Sequence, residues 1–346
     1  MKLLVTGGAG FIGTNFIRYW LNEYSEDIVI NLDLLTYAGN LVNLTDVAST
    51  YPQRYTFIQG DILDSVSVST ILKRHKPDVI VNFAAESHNS RAILNPRKFF
   101  ETNVMGTQVL LDMVRDCEIS RFHHISTCEV YGELSLDSSD TFSETAPFKP
   151  QTPYNASKAA ADHLVNSYYH SFGVPITISN CSNNYGPYQH PEKLIPLFTT
   201  NAIQNKSLTL YKSSQNRREW LHVQDHCRAI AAVIHTGQVG ETYNIGSGIE
   251  KSIEEISDYI LDILDKPQAL KTYVPDRPGH DCRYLLNSEK IHSELGWKPT
   301  ISFEEGMKQT IQWYIDNRDW WERIQENSAD QVIAEDKWES VINKKR

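Results

Sequence analysis

An α/β fold, with a Rossmann-type doubly wound parallel sheet and a smaller C-terminal substrate-binding lobe, is predicted by three features of this 346-residue sequence. Apolar strand-like runs alternate with helical patterns through the first half of the chain. The first run is followed at once by Gly7, Gly10 and Gly13 at the spacing G-x-x-G-x-x-G. The second, DIVINLD, ends on the carboxylate of Asp33, twenty residues beyond Gly13.

Leu3 to Thr6 reads as a short buried strand leading into the glycines. The first glycine permits a tight turn, the second lets backbone approach a pyrophosphate, and the third lets helix pack on strand. The helix FIGTNFIRYWL then starts with Phe11 and Ile12 in its first turn, its N-terminus facing the anion. Asp33 can accept from a ribose 2′-hydroxyl and would repel a 2′-phosphate, so NAD is expected rather than NADP. Asp61 and Ile62 follow the strand YTFIQG and are expected on the adenosine side. Asn103 is expected there too, in the helical pattern FFETNVMGTQVLLDMVRDC. Between these lies VIVNFAAES, a strand over 79–87 that places Ala84 near the dinucleotide.

The strand RFHHIST closes on Ser126 and Thr127, and a helix beyond it carries Tyr154 and Lys158 at i and i+4. On one helix face the ammonium can favour the phenolate, which would make Tyr154 a usable acid and base near neutral pH. Alone, the pair reads better as two exposed residues of an amphipathic helix. Its meaning comes from the glycine motif and the Ser-Thr strand end upstream. VPITISNCS, over 174–182, is a further strand.

Beyond about residue 185 the alternation breaks into loop-like pieces. We therefore expect a dinucleotide domain over 1–184, with later segments able to return to it, a substrate-binding lobe over 185–325, and a polar C-terminal helix or tail over 326–346. The net charge of −10 argues against a nucleic-acid or acidic-membrane binder, so local Arg and Lys groups must hold any anionic substrate. Five scattered cysteines without a C-x-x-C pair imply reduced thiols in a cytoplasmic protein, with no disulfide framework and no metal site. No apolar stretch approaches membrane-spanning length.

The segments GGAGFIG, DLLTYAGNL, NFAAESH, YNASKAAADHLV, PEKLIPLF, REWLHVQDHCRAI and RPGHDCRY together resemble the extended short-chain dehydrogenase/reductases, and within them the nucleotide-sugar 4,6-dehydratases that act on substrates such as dTDP-glucose. The resemblance runs from residue 1 to about 320. It implies an internal redox cycle on tightly held NAD. Tyr154, assisted by Lys158 and Thr127, would take the C4 hydroxyl proton as hydride leaves C4. The 4-ketone acidifies C5–H, Glu129 would remove that proton, water would leave from C6, and hydride would return. The family pattern also points to His88, Asn183, Glu192, Lys193, Arg218, Asn244, Arg277 and His280 for the substrate, and to a homodimer through helices around 95–117 and 152–172.

Two departures from that pattern bear on the product. Thr127-Cys128-Glu129 stands where the family reads Thr-Asp-Glu, so the acid expected to protonate the leaving hydroxyl is a thiol. A free cysteine titrates near 8.5 against about 3.9 for aspartate, so Cys128 keeps its proton at neutral pH. It can then serve as the acid or pack as a small apolar residue. Asn89-Ser90 likewise replaces an apolar-Asp pair. Hydride returned to C6 gives a 4-keto-6-deoxy sugar, and hydride returned to C4 gives a 5,6-ene. The altered acid machinery resembles the UDP-N-acetylglucosamine 5,6-dehydratases, and this is the favoured expectation. An ordinary 4,6-dehydratase acting on dTDP-glucose or a UDP-hexose is the alternative. A 4-epimerase and a non-catalytic NAD-binding protein are the rivals, and Glu129 speaks against both.

Overall fold

The computed structural model describes residues 1–117, 119–276 and 281–328. Seven strands form a parallel sheet: β1 (Lys2–Thr6), β2 (Ile28–Asp33), β3 (Tyr55–Gln59), β4 (Val79–Asn82), β5 (Arg121–Thr127), β6 (Ile176–Cys181) and, from much later in the chain, β10 (Thr242–Ile245). Their order across the sheet is β10-β6-β5-β4-β1-β2-β3, with every pairing parallel. The order reverses between β1 and β4, and such a switch point opens a crevice at the carboxyl ends of the strands.

Both faces of the sheet are covered, which is why its strands are near-continuous apolar runs. Leu3 and Val5 point to one face, against Phe16, Trp20 and Leu21 of helix Phe11–Glu23 and Val223, Ile230 and Ile234 of helix Val223–Thr236. Leu4 points to the other, with Val68 and Leu72 of helix Ser65–His75, Leu110 and Val114 of helix Thr107–Asp116, and Val165 and Tyr168 of helix Pro153–Phe172. The two-residue alternation of a strand thus builds two cores from one segment.

Two small sheets stand beside the large one. β7 (Asn183–Tyr185), β9 (Arg217–His222) and β11 (Glu250–Ser252) form one, and β8 (Leu208–Tyr211) pairs with β12 (Lys271–Val274) in the other. Tyr185, Phe198, Trp220, Ile256 and Met307 fill a core under them. Among the described residues no helix is long and apolar enough to cross a membrane.

Two elements differ from the expected ones. The strand expected over 79–87 ends at Asn82, and Phe83 to Ser87 turn along the crevice instead. The single helix expected from Phe99 onward is three pieces: Pro96–Phe100, a π-helical stretch Glu101–Gly106, and Thr107–Asp116. Wider π turns often mark sites where a side chain is re-aimed. Here Asn103 is turned onto the Glu86 backbone.

Candidate active site

The crevice is a cavity of about 520 Å³ running from the glycine turn to the ends of β5 and β6. Gly7 has φ +68°, and a Cβ there would stand 2.6 Å from the Ala84 nitrogen. A Cβ on Gly13 would stand 2.4 Å from the Gly7 carbonyl oxygen. The turn therefore packs only without side chains at these positions. Gly10 caps the first helix with no side-chain hydrogen bond, which leaves the helix N-terminus open to an anion. Phe11, Ile12, Asp61, Ile62 and Ala84 line the same crevice.

Asp33 ends β2 at the crevice wall. Its Oδ2 accepts from the Ala9 amide at 2.9 Å and its Oδ1 from the Leu35 amide at 2.7 Å. Burial raises its pKa, and the two amides work against that rise. A carboxylate so held in a glycine-lined crevice fits an adenosine ribose. Asn103 does not line the cavity as expected. Its amide is taken up by the Glu86 backbone at 2.8 and 3.0 Å and by Ser157 Oγ at 2.8 Å, while its neighbour Thr102 faces the crevice.

Thr127, Glu129, Tyr154 and Lys158 meet at the other end of the cavity. Burial drives the Tyr154 phenol well above its ordinary pKa, Glu129 adds to the rise, and a hydrogen bond with Thr127 opposes it. In this geometry Lys158 can favour the phenolate only by its charge, because its hydrogen bonds go elsewhere. Lys158 Nζ turns toward the sheet, donating to the Ile125 carbonyl at 2.7 Å and lying 3.1 Å from His124 Nε2. Burial lowers the lysine pKa, and Asp162, one helical turn further on, counters it. His124, Asp162 and Ser126 form a buried layer beneath Lys158, with Ser126 donating to Asp162 Oδ2 at 2.7 Å. Sequence reading missed this layer. The i, i+4 spacing of Lys158 and Asp162 was the signal for it.

Glu129 sits in the short turn after β5, where Thr127 Oγ1 accepts its amide at 3.3 Å. Asn89 Nδ2 donates to Glu129 Oε2 at 3.0 Å. Cys128, expected among the catalytic groups, is not among the cavity-lining residues. It is 1% exposed and packs with Val130, Tyr131, Ala159, Tyr284 and Leu286. Burial pushes its thiol well up in pKa, and Glu129 pushes it further. The geometry matches the packing alternative for this residue.

Of the residues expected at the substrate, Asn183, Glu192 and Lys193 line the cavity. Asn183 Oδ1 is buried without a hydrogen-bond partner among the described residues. Burial raises the Glu192 pKa, but Lys193, His88, His190 and Arg91 outweigh it and hold the carboxyl below its ordinary value. His88 instead caps the helix Asn89–Leu94, 3.9 Å from Glu192. Arg218 donates to the carbonyls of Arg217, Asp281 and Cys282 and lies over the Tyr284 ring. Asn244 is spent on Tyr131 and on the Phe142 carbonyl. Neither of these two lines the cavity. Arg277 and His280 lie outside the described residues.

A glycine-lined switch point, a carboxylate ending the second strand at the crevice wall and a Thr-Tyr-Lys group at the strand ends define an extended short-chain dehydrogenase/reductase. More narrowly, the chain belongs to the family described as GDP-mannose 4,6 dehydratase, which matches residues 4–310. A dTDP-glucose 4,6-dehydratase of Escherichia coli is 47% identical over 355 residues, covering 95% of this chain and 97% of that one. The crystal structure of a dTDP-glucose 4,6-dehydratase from Streptomyces venezuelae, with NAD bound, is 46% identical with a TM-score of 0.90, covering 94% of this chain and 100% of that chain. A UDP-glucose 4-epimerase from Thermotoga maritima is 26% identical with a TM-score of 0.85, covering 92% of this chain and 100% of that chain.

Proposed function

We propose that this chain is an NAD-dependent nucleotide-hexose 4,6-dehydratase acting on dTDP-glucose. The observation that carries this reading is the position of Glu129 in the same cavity as Thr127, Tyr154 and Lys158. An epimerase or a passive dinucleotide binder has no use for a base beside the redox group. NAD, when bound in the glycine-lined half of the crevice, supplies a hydride acceptor for C4 and later returns that hydride.

Tyr154 takes the C4 hydroxyl proton as the phenolate, a form that the Lys158 charge and the Thr127 hydrogen bond favour against the cost of burial. Oxidation at C4 makes C5–H acidic; Glu129 removes that proton and, as the acid it has become, passes it to the C6 hydroxyl, which leaves as water. A solvent proton reaches C5 when hydride returns to C6. Asn183, Glu192 and Lys193 hold the sugar side of the cavity. Near-full-length relatives that act on dTDP-glucose favour this substrate over UDP-N-acetylglucosamine. Incubation with dTDP-glucose should yield a product lacking one water, with a C6 methyl and a 4-ketone by proton NMR. An unchanged sugar would defeat the reading.

The second reading, a UDP-N-acetylglucosamine 5,6-dehydratase, rests on the thiol at position 128. Vinylic C6 protons in the product would establish it. We also propose a cytoplasmic homodimer. The five free thiols suit a reducing compartment. Phe100, Met105 and Phe172, at 40%, 50% and 54% exposure, offer an apolar face on the helices around 96–116 and 153–172. A monomer in sedimentation would contradict the assembly.

A further inference from the structure

We propose that Asn89 is a positioning residue that orients Glu129 and keeps it in its proton-accepting form, so coupling the base to the N-terminus of the helix that carries Tyr154. The inference rests on the reading of Glu129 as the C5 base. Asn89 opens the helix Asn89–Leu94 beside the cavity, at a position where the family resemblance led us to expect an apolar side chain.

Three hydrogen bonds fix which way the Asn89 amide points. Thr152 Oγ1 accepts the Asn155 amide at 3.2 Å as the N-cap of helix Pro153–Phe172. The Thr152 hydroxyl proton goes to Asn89 Oδ1, at 2.6 Å. With its oxygen committed to Thr152, Asn89 must turn its NH₂ toward Glu129 Oε2, at 3.0 Å. An NH₂ group can only donate, so it favours an unprotonated oxygen at that position.

The other groups around Glu129 make this donor matter. Cys128 in its own turn, Tyr154 on the long helix, Cys181 at the end of β6 and Tyr284 from the second lobe all interact electrostatically with its carboxyl. All four are neutral acids held above their ordinary values, chiefly by burial; the cations are Arg218, beside Cys128 and Tyr284, and Lys158, beside Cys181. In that setting a fixed amide donor both aims the carboxylate and offsets part of the cost of its burial.

Asn89→Leu removes the donor at similar volume, and Asn89→Gln offers it back from a longer arm. Two readouts are needed. The first is the titration midpoint of the Glu129 carboxyl by carbon NMR, assigned by its loss in Glu129→Gln. The second is the exchange of C5–H with deuterated solvent, compared with NADH formation from C4 oxidation. In Asn89→Leu we expect the midpoint and the acid limb of the exchange profile to rise by about one pH unit. Exchange should slow about tenfold or more while C4 oxidation and KM stay within about twofold, with partial recovery in Asn89→Gln. A midpoint and acid limb identical to wild type would overturn the role of Asn89. A wild-type protein that turns over no nucleotide hexose, but whose Glu129 midpoint still rises in Asn89→Leu, would instead overturn the dehydratase reading and leave the Asn89–Glu129 coupling standing.

Discussion

His124 Nε2 lies 3.1 Å from Lys158 Nζ in a layer closed to solvent beneath the cavity. The proton on that ring is placed by its neighbours. Thr6 Oγ1 accepts the Ala84 amide and donates to Asn82 Oδ1 at 2.6 Å, so the Asn82 NH₂ faces His124 Nδ1 at 3.2 Å. Nδ1 is then the acceptor, and a hydrogen on Nε2 has Asp162 Oδ1 at 3.5 Å as its acceptor, since the Lys158 ammonium can only donate. Burial holds the imidazole well below its ordinary pKa, so it is neutral. Asp162, ahead of Cys181, favours the Lys158 charge, and burial lifts that carboxyl to about 7.

Asp162→Asn should therefore weaken C4 oxidation without touching the nucleotide sugar. We expect the rate of NADH formation on substrate addition to fall about tenfold, with KM within about twofold. The profile of that step against pH should also shift, since Lys158 would lose its charge at lower pH. An unchanged profile would show that the layer beneath Lys158 only fills space.

Glu129→Gln should separate the two halves of the reaction. C4 oxidation needs Tyr154 and Thr127 and should persist, whereas water loss should fall by about 10²- to 10⁴-fold. The check is accumulation of NADH in rapid mixing with no dehydrated product. Equal loss of both steps would place Glu129 outside the elimination.

Cys128→Ala tests whether the thiol is an acid or a packing group. Its side chain sits among Val130, Tyr131 and Leu286, so truncation should cost about 1 kcal/mol of stability and change the elimination rate less than about threefold. A hundredfold fall in elimination at unchanged stability would make it the proton donor.

The sheet and the dinucleotide end were legible in the sequence because period-2 burial, a glycine turn and a terminal carboxylate are local signals. Gly7, Gly10, Gly13 and Asp33, whose spacing was the signal, all line the crevice. Asn103 and Asn244 were not legible in this way, since whether a buried amide meets a ligand or a backbone carbonyl depends on tertiary neighbours such as Glu86 and Phe142. The side-chain direction of Lys158 escaped for the same reason. Helical spacing put it on the Tyr154 face, but the Ile125 carbonyl and His124 decide where Nζ points.

Acid should destabilise the fold through its buried histidines. Burial holds His123 and His226 at about 3, against an ordinary 6.5. Between those values the unfolded chain takes up protons that the native one does not, so this contribution is complete above about 6.5 and is lost as pH falls toward 3. Asp162 and Glu219, lifted by burial to about 7, act in the opposite sense, their contribution being lost as pH rises through 7. His226→Gln isolates the first effect. Its denaturation free energy should fall less steeply than wild type between pH 6 and 4, by up to about 1.4 kcal/mol per pH unit. Parallel curves would mean that His226 titrates alike in both states.

The most direct test of oxidation and elimination in one cavity follows a single atom. dTDP-glucose carrying deuterium at C4 is converted in ordinary water and the product is analysed by deuterium and proton NMR. Deuterium in the C6 methyl, with a solvent proton at C5, is the predicted result, since the hydride taken from C4 returns to C6 after water has left. Deuterium retained at C4 beside a 5,6-ene, or its loss to solvent, would contradict the account.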